Sequence, residues 1–157
     1  MVALLFVYLL SLVCWLGGMV FFIAVTQTAF TVLPKAEAGT FLAALFPRYY
    51  LLGYICGAIG LILAIYLCAT RMPRVWWAMA ALALLIALGL TVYAGAVVRP
   101  RVDAIRAVTE EANPDPARRA EFDRLHHLSV VLNGVVMLLD LAALLATAVA
   151  LAPQASG

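Results

Sequence analysis

Charge is scarce in this chain. Of its 157 residues only 11% are charged, against roughly 25% in an ordinary soluble domain. That shortage excludes a soluble globular protein and a disordered tail. The formal net charge of +2 is too small for an electrostatic grip on nucleic acid. Cysteine is equally sparse. Cys14, Cys56 and Cys68 each lie inside an apolar run, and none has a CxxC or metal-finger spacing. Zinc ribbons, thiol redox motifs and disulfide scaffolds are excluded with them. What is plentiful is hydrocarbon: 67% of the residues are hydrophobic. The composition is that of an integral membrane protein.

A spanning helix needs about 20 mostly apolar residues, and four stretches qualify. They run from about 2 to 30, 49 to 70, 75 to 98, and 128 to 151. The first has no basic leader and no A-x-A site after it, so it reads as an uncleaved anchor. The expected architecture is all-α: one membrane domain over 1–157, a four-helix bundle in the bilayer.

Lysines and arginines in the short loops set the orientation. Lys35 and Arg48 lie between spans one and two. Arg99, Arg101, Arg106, Arg118, Arg119 and Arg124 lie between spans three and four. The opposite face carries Arg71 and Arg74. This imbalance predicts that both longer loops are cytoplasmic and both termini are outside, with the cell membrane as the expected location. Tyr49 and Tyr50 at one interface and Trp76 and Trp77 at the other agree with the boundaries.

The segment 99–127 reads as helix rather than loop. Val102, Ile105 and Val108 recur at helical spacing, carrying span three past a kink at Pro100. Asn113-Pro114-Asp115-Pro116 is a turn, with Asp115 as N-cap and Pro116 at the first helical position. From there one helix of about 54 Å is expected, longer than the roughly 30 Å hydrocarbon core. Spans three and four should project as a cytoplasmic hairpin, with Arg106 pairing Glu110 and Arg119 pairing Asp123. The hairpin either only solvates the protein or docks a protein partner. Gly53-x-x-x-Gly57 with Gly60, and Gly17-Gly18, let helices approach closely. They serve packing inside the bundle, a homo-oligomer seam through Gly53 and Gly57, or a slot for a flat ligand.

The last span carries the most informative pattern. His126, Ser129, Asn133 and Asp140 fall at i, i+3, i+7 and i+14. A seven-residue step drifts only about 20° on a straight helix, so the four residues form one polar line. Polar groups in hydrocarbon need partners, so this line should face the bundle interior. Asp140 lies near the middle of its span, with no lysine or arginine inside any span to pair with it. It is either neutral, because burial penalises the charged form, or it faces water, a cation or a ligand. His126 lies at the interface end. The same level receives Thr26 and Gln27, then Arg48, Tyr49 and Tyr50, then Arg99. Together they make a polar cup at one mouth of the bundle. Asp123 stands close enough in sequence to orient His126 or His127. Histidine is a common ligand for metals and haem iron, and also a common interfacial anchor. Copper(I) bound by the scattered methionines and cysteines is a weaker reading, since they do not cluster. A Ser129–His126–Asp123 hydrolase triad is rejected, because all three project from one helix and no oxyanion loop is visible.

Several of these residues resemble a known family. Leu16-Gly17-Gly18-Met19 with Phe21, Leu45-Phe46-Pro47 with Tyr49, and Pro100 carry part of the likeness. Phe122, Arg124-Leu125-His126-His127-Leu128-Ser129 and Asn133 carry its sharpest part. The chain is similar to the small four-span membrane proteins like transmembrane protein 205, a family without an assigned activity. The resemblance implies a four-helix bundle and an integral membrane location, and it singles out His126. His127 stands where the family has a small residue, and Asp140 is not carried over. More distantly, the layout looks like copper-resistance D-type and haem-binding four-helix membrane proteins.

Three functions compete. One is binding of a small ligand, haem or a transition metal, in the cup at His126, with Ser129, Asn133, Asp140, Arg48, Tyr49 and Gln27 as candidate site residues and His126 as the metal ligand. The second is a small transporter or proton path through Asp140. The third is a non-catalytic assembly protein whose hairpin docks a partner. No catalytic residue is expected.

Overall fold

The computed structural model describes residues 1–109 and 115–152. Its elements are α1 (Val2–Val32), α2 (Lys35–Thr70), α3 (Arg74–Tyr93), a π-helical turn (Ala94–Val98), α4 (Arg99–Thr109) and α5 (Pro116–Leu151). Four helices are long and apolar enough to cross a membrane. In the bundle α2 packs on α1 and α3, and α3 packs on α5; α1 and α5 meet least and close the ring.

The first connection is shorter than the sequence suggests. α2 begins at Lys35, not near Tyr49, so Leu33 and Pro34 alone join it to α1. A residue before proline is pushed to extended backbone, and Leu33 has φ −106° and ψ 150°. Pro34 then starts the next helix, and its carbonyl accepts from the Ala38 amide at 2.9 Å. The added turns of α2 are rich in alanine and leucine, both good helix formers. Their face carries Ala38 and Leu42, which pack on Ala29 of α1 beside Phe22 and Phe46. This local burial outweighs the polar residues that read as a loop.

Span three continues as helix through residue 109, as its spacing predicts. The sequence does not announce the π turn at Ala94–Val98. Pro100 has no amide hydrogen, and its ring excludes the regular bond to the carbonyl of Ala96. The wider turn just ahead absorbs that mismatch. Gly95 lies in it because a Cβ there would strike the Tyr54 hydroxyl and the Tyr50 ring of α2. α5 starts as expected: the Asp115 carboxylate accepts from the Ala117 amide at 3.1 Å, with Pro116 in the first turn.

The core lies where the four helices meet. Tyr8, Leu12, Trp15 and Met19 of α1 share one face and meet Ala80, Leu84 and Ala87 of α3 and Val136, Ala143 and Ala146 of α5 in one cluster. Trp15 covers the glycine stripe of α2. A Cβ on Gly57 would come within 2.9 Å of its ring, and one on Gly53 within 3.1 Å of its Nε1. The stripe is thus used inside the chain, and a second copy could reach Gly53 and Gly57 only by displacing Trp15. Outside, large apolar side chains are exposed on every spanning helix, among them Phe6, Phe21, Ile62, Leu82, Leu138 and Leu145. So extensive an apolar surface suits lipid, not water.

Candidate functional site

At the end of the bundle that holds the α1–α2 turn, the helices part. α4 packs on α5 but makes no extensive contact with α1 or α2. A cavity of about 680 Å³ lies between the α1–α2 pair and the α4–α5 pair. Ligand cavities typically span about 300–1,000 Å³. One strut crosses the cleft: Arg106 Nη1 donates to the Gly39 carbonyl at 2.9 Å. Beneath it, the Tyr49 hydroxyl donates to Asn133 Oδ1 at 2.6 Å, tying α2 to α5. Phe22 stacks on Tyr49 at 4.4 Å between ring centroids, and Phe46 lies 5.0 Å from Phe22 and 6.1 Å from Tyr50. This aromatic group separates the cleft from the apolar core.

Helical spacing sorts the lining. Arg99, Asp103 and Arg106 share one face of α4, and Arg119, Phe122, His126 and Ser129 share one face of α5. Thr26 and Phe30 come from α1, and Lys35, Phe46 and Tyr50 from α2. Arg99 Nε lies 3.3 Å from Asp103 Oδ2, the ion pair seen among the described residues. The expected Arg119–Asp123 pair does not form; both side chains line the open cleft, where such a pair contributes little. Glu110, the expected partner of Arg106, lies outside the described residues.

The candidate residues divide into three groups. His126 and Ser129 line the cleft. His126 is exposed and stacks on Phe122 at 6.2 Å with the rings nearly parallel. Asp123 does not orient it, nor His127, among the described residues. Ser129 Oγ donates to the His126 carbonyl, and Asn133 Nδ2 donates to the Ser129 carbonyl, so the polar line also satisfies its own helix. Tyr49 and Asn133 form the floor rather than the wall. Gln27 and Arg48 do not join the cup: both are exposed, and Arg48 Nη1 turns back to the Ala44 carbonyl of its own helix. Their near neighbours Thr26 and Tyr50 line the cleft instead, one position from Gln27 and two from Arg48.

Asp140 belongs to a different region. It sits about 21 Å along α5 from His126, and it is fully buried. Neither carboxylate oxygen has a hydrogen-bond partner among the described residues, and neither does Trp77 Nε1. Tyr8 and Cys56 stand within electrostatic reach. Tyr8 itself is engaged: its hydroxyl lies 2.8 Å from Thr147 Oγ1, and its ring meets Trp77 edge-on at 6.0 Å.

The expectation of a haem or transition metal at His126 finds no donor set. No three His, Cys, Asp or Glu side chains converge among the described residues. A haem held by two axial side chains is not served either, since the lining offers no second histidine and no methionine. The surrounding arginines also repel a metal cation.

The family model described as Domain of unknown function (DUF4149) matches residues 10–111. The chain belongs to the DUF4149 family. The matched segment includes Gln27, Arg48, Tyr49 and Arg99, and it ends ahead of α5. His126, Ser129, Asn133 and Asp140 lie beyond it. Comparisons with curated proteins and with solved structures give no match. The residues missed in the sequence are Lys35, Asp103, Arg106, Arg119 and Phe122. The signal for the α4 and α5 residues was their shared helical face with Arg99 or His126; Lys35 depended on the short turn at Pro34.

Proposed function

We propose that this DUF4149 member is a non-catalytic ligand-binding membrane protein. The observation that carries this reading is the cavity of about 680 Å³ held open between two helix pairs, with His126 and Ser129 on its wall. A bundle folded only for stability would close such a gap, because packed interiors contain few voids larger than a water. The ring of cations and the lack of a donor set favour an organic ligand over a metal. The eight-to-two imbalance of basic residues favours a cytoplasmic cleft and outward termini. Closer kinship with the proteins like transmembrane protein 205 rests on the His126–Ser129–Asn133 element.

The test is native mass spectrometry of the full chain purified in a mild neutral detergent. A small molecule of constant mass should accompany the wild type and be lost from Ser129→Phe, which fills the cleft. A wild type that carries nothing, or equal retention in Ser129→Phe, overturns the proposal. An optical spectrum and elemental analysis of the same sample should show neither a Soret band nor a stoichiometric metal. A second reading, proton passage through Asp140, draws on its unpartnered carboxyl. It is the weaker one, because Asp140 is sealed from the cleft.

A further inference from the structure

The cleft pairs two chemistries that seldom share one wall. Among the described residues, four cationic side chains line it, Lys35, Arg99, Arg106 and Arg119, against two carboxylates, Asp103 and Asp123. Arg99 and Asp103 pair at 3.3 Å and Arg106 is bonded to the Gly39 carbonyl, which leaves Lys35 and Arg119 against Asp123. The excess is positive. Guanidinium groups present planar forks that match the oxygens of a carboxylate or a phosphate. The same cavity is walled by apolar side chains, Phe30, Leu42, Val102 and Phe122 among them. A free inorganic anion would leave that apolar wall unused. A neutral hydrocarbon would make no use of the charged wall.

We infer that the occupant is an acidic amphiphile: a phosphate or carboxylate head held by Arg99, Arg106 and Arg119, on an apolar chain lying against Phe30 and Phe122. This inference rests on the ligand-binding reading above and names the class of ligand for that same cleft. The layout of the bundle gives the chain a route. α1 and α5 share the least extensive contact of the ring, so Phe30 of α1 and Phe122 of α5 flank the side where the ring is least closed. The head reaches the arginines at the polar end while the tail stays beside the lipid-facing helices. His126, stacked on Phe122, adds a donor at the boundary between the two.

The experiment titrates the full chain in neutral detergent with lysophosphatidate, followed by native mass spectrometry. Lysophosphatidylcholine, oleate and inorganic phosphate are run alongside. One lysophosphatidate should bind per chain, and lysophosphatidylcholine should bind at least about tenfold more weakly. Arg119→Glu should weaken lysophosphatidate by about tenfold or more, the effect of losing one charge-assisted hydrogen bond. Arg119 is exposed near the start of α5, so the variant folds independently of the answer. Oleate binding as well as lysophosphatidate supports the class and makes the head a carboxylate as readily as a phosphate. Equal binding of lysophosphatidylcholine, full competition by inorganic phosphate alone, or an unchanged Arg119→Glu would overturn the inference. If a co-purifying molecule is lost from Ser129→Phe yet lysophosphatidate does not bind, the ligand class falls and the cleft stands as a site. If neither is seen, both fall.

Discussion

The two ends of this bundle solve the same packing problem in opposite ways. Around Trp15, Gly57 and Asp140 the helices close until a single added carbon has no room: a Cβ on Gly57 would meet Trp15 at 2.9 Å and Leu88 at 3.0 Å. Polar groups there are sealed in, some paired, as Tyr8 is with Thr147, and some without a hydrogen-bond partner among the described residues, as Asp140 is. At the other end, α4 and α5 stand away from α1 and α2, leaving a cavity of about 680 Å³ crossed by the Arg106–Gly39 strut. Small residues make the first region. The second is lined by charged and bulky apolar side chains, Arg99, Arg106, Phe30 and Phe122 among them. Close packing supplies stability at one end so that open space can be kept at the other.

Each substitution below tests that contrast, beginning with the largest effect. Gly57→Leu should destabilise the fold by about 1–3 kcal/mol or more, since overpacking a close contact forces neighbours to shift. Thermal unfolding in detergent measures it. Gly134→Ala is the matched control: a Cβ there meets nothing within 4 Å. It should raise stability by up to about 1 kcal/mol through backbone entropy alone. If Gly57→Leu were equally harmless, the tight end would not be tight. Asp140→Val should raise the melting temperature, because it removes a carboxyl that has no hydrogen-bond partner among the described residues and costs about 1–3 kcal/mol to bury. A fall in melting temperature would show that Asp140 holds a water, an ion or a ligand.

Smaller effects come from single hydrogen bonds. Tyr8→Phe should cost about 1 kcal/mol, the usual net contribution of one such bond. Thr147 still donates to the Ala143 carbonyl in that variant. Tyr49→Phe, at the floor of the cleft, should cost no more than Tyr8→Phe, because its site is only partly buried. Its effect should appear instead as faster hydrogen exchange near Asn133. Should Tyr49→Phe prove the more damaging, the floor carries more of the stability than its burial implies.

Much of the fold was legible because membranes leave few options. A run without charge from Val2 to Phe30 must satisfy its backbone internally, and a helix does so. The Asp115–Pro116 start of α5 was equally readable, since capping is a local matter between adjacent residues. The early start of α2 was not. Its first turns look like loop by hydropathy, and they are helical because Ala38 and Leu42 find Ala29 on a neighbouring helix. The site was legible in part. Helical periodicity brought His126, Ser129 and Asn133 to one face, and chain direction brought Tyr49 and Arg99 to the same level. It did not say which of two nearby residues points inward. Gln27 and Arg48 face out while Thr26 and Tyr50 face in, because one residue is a 100° turn on a helix.

By itself the sequence determined that this is a four-span, all-helical membrane protein with its basic residues gathered at one end. Those properties follow from the composition and period of each segment alone. The tertiary structure decided that the glycine stripe is filled by Trp15, that the helices part above the Tyr49–Asn133 bond, and that a positively charged, apolar-walled cleft results. Such features depend on the distance between helices, which is set by the side chains of two segments meeting at once and is encoded in neither segment alone.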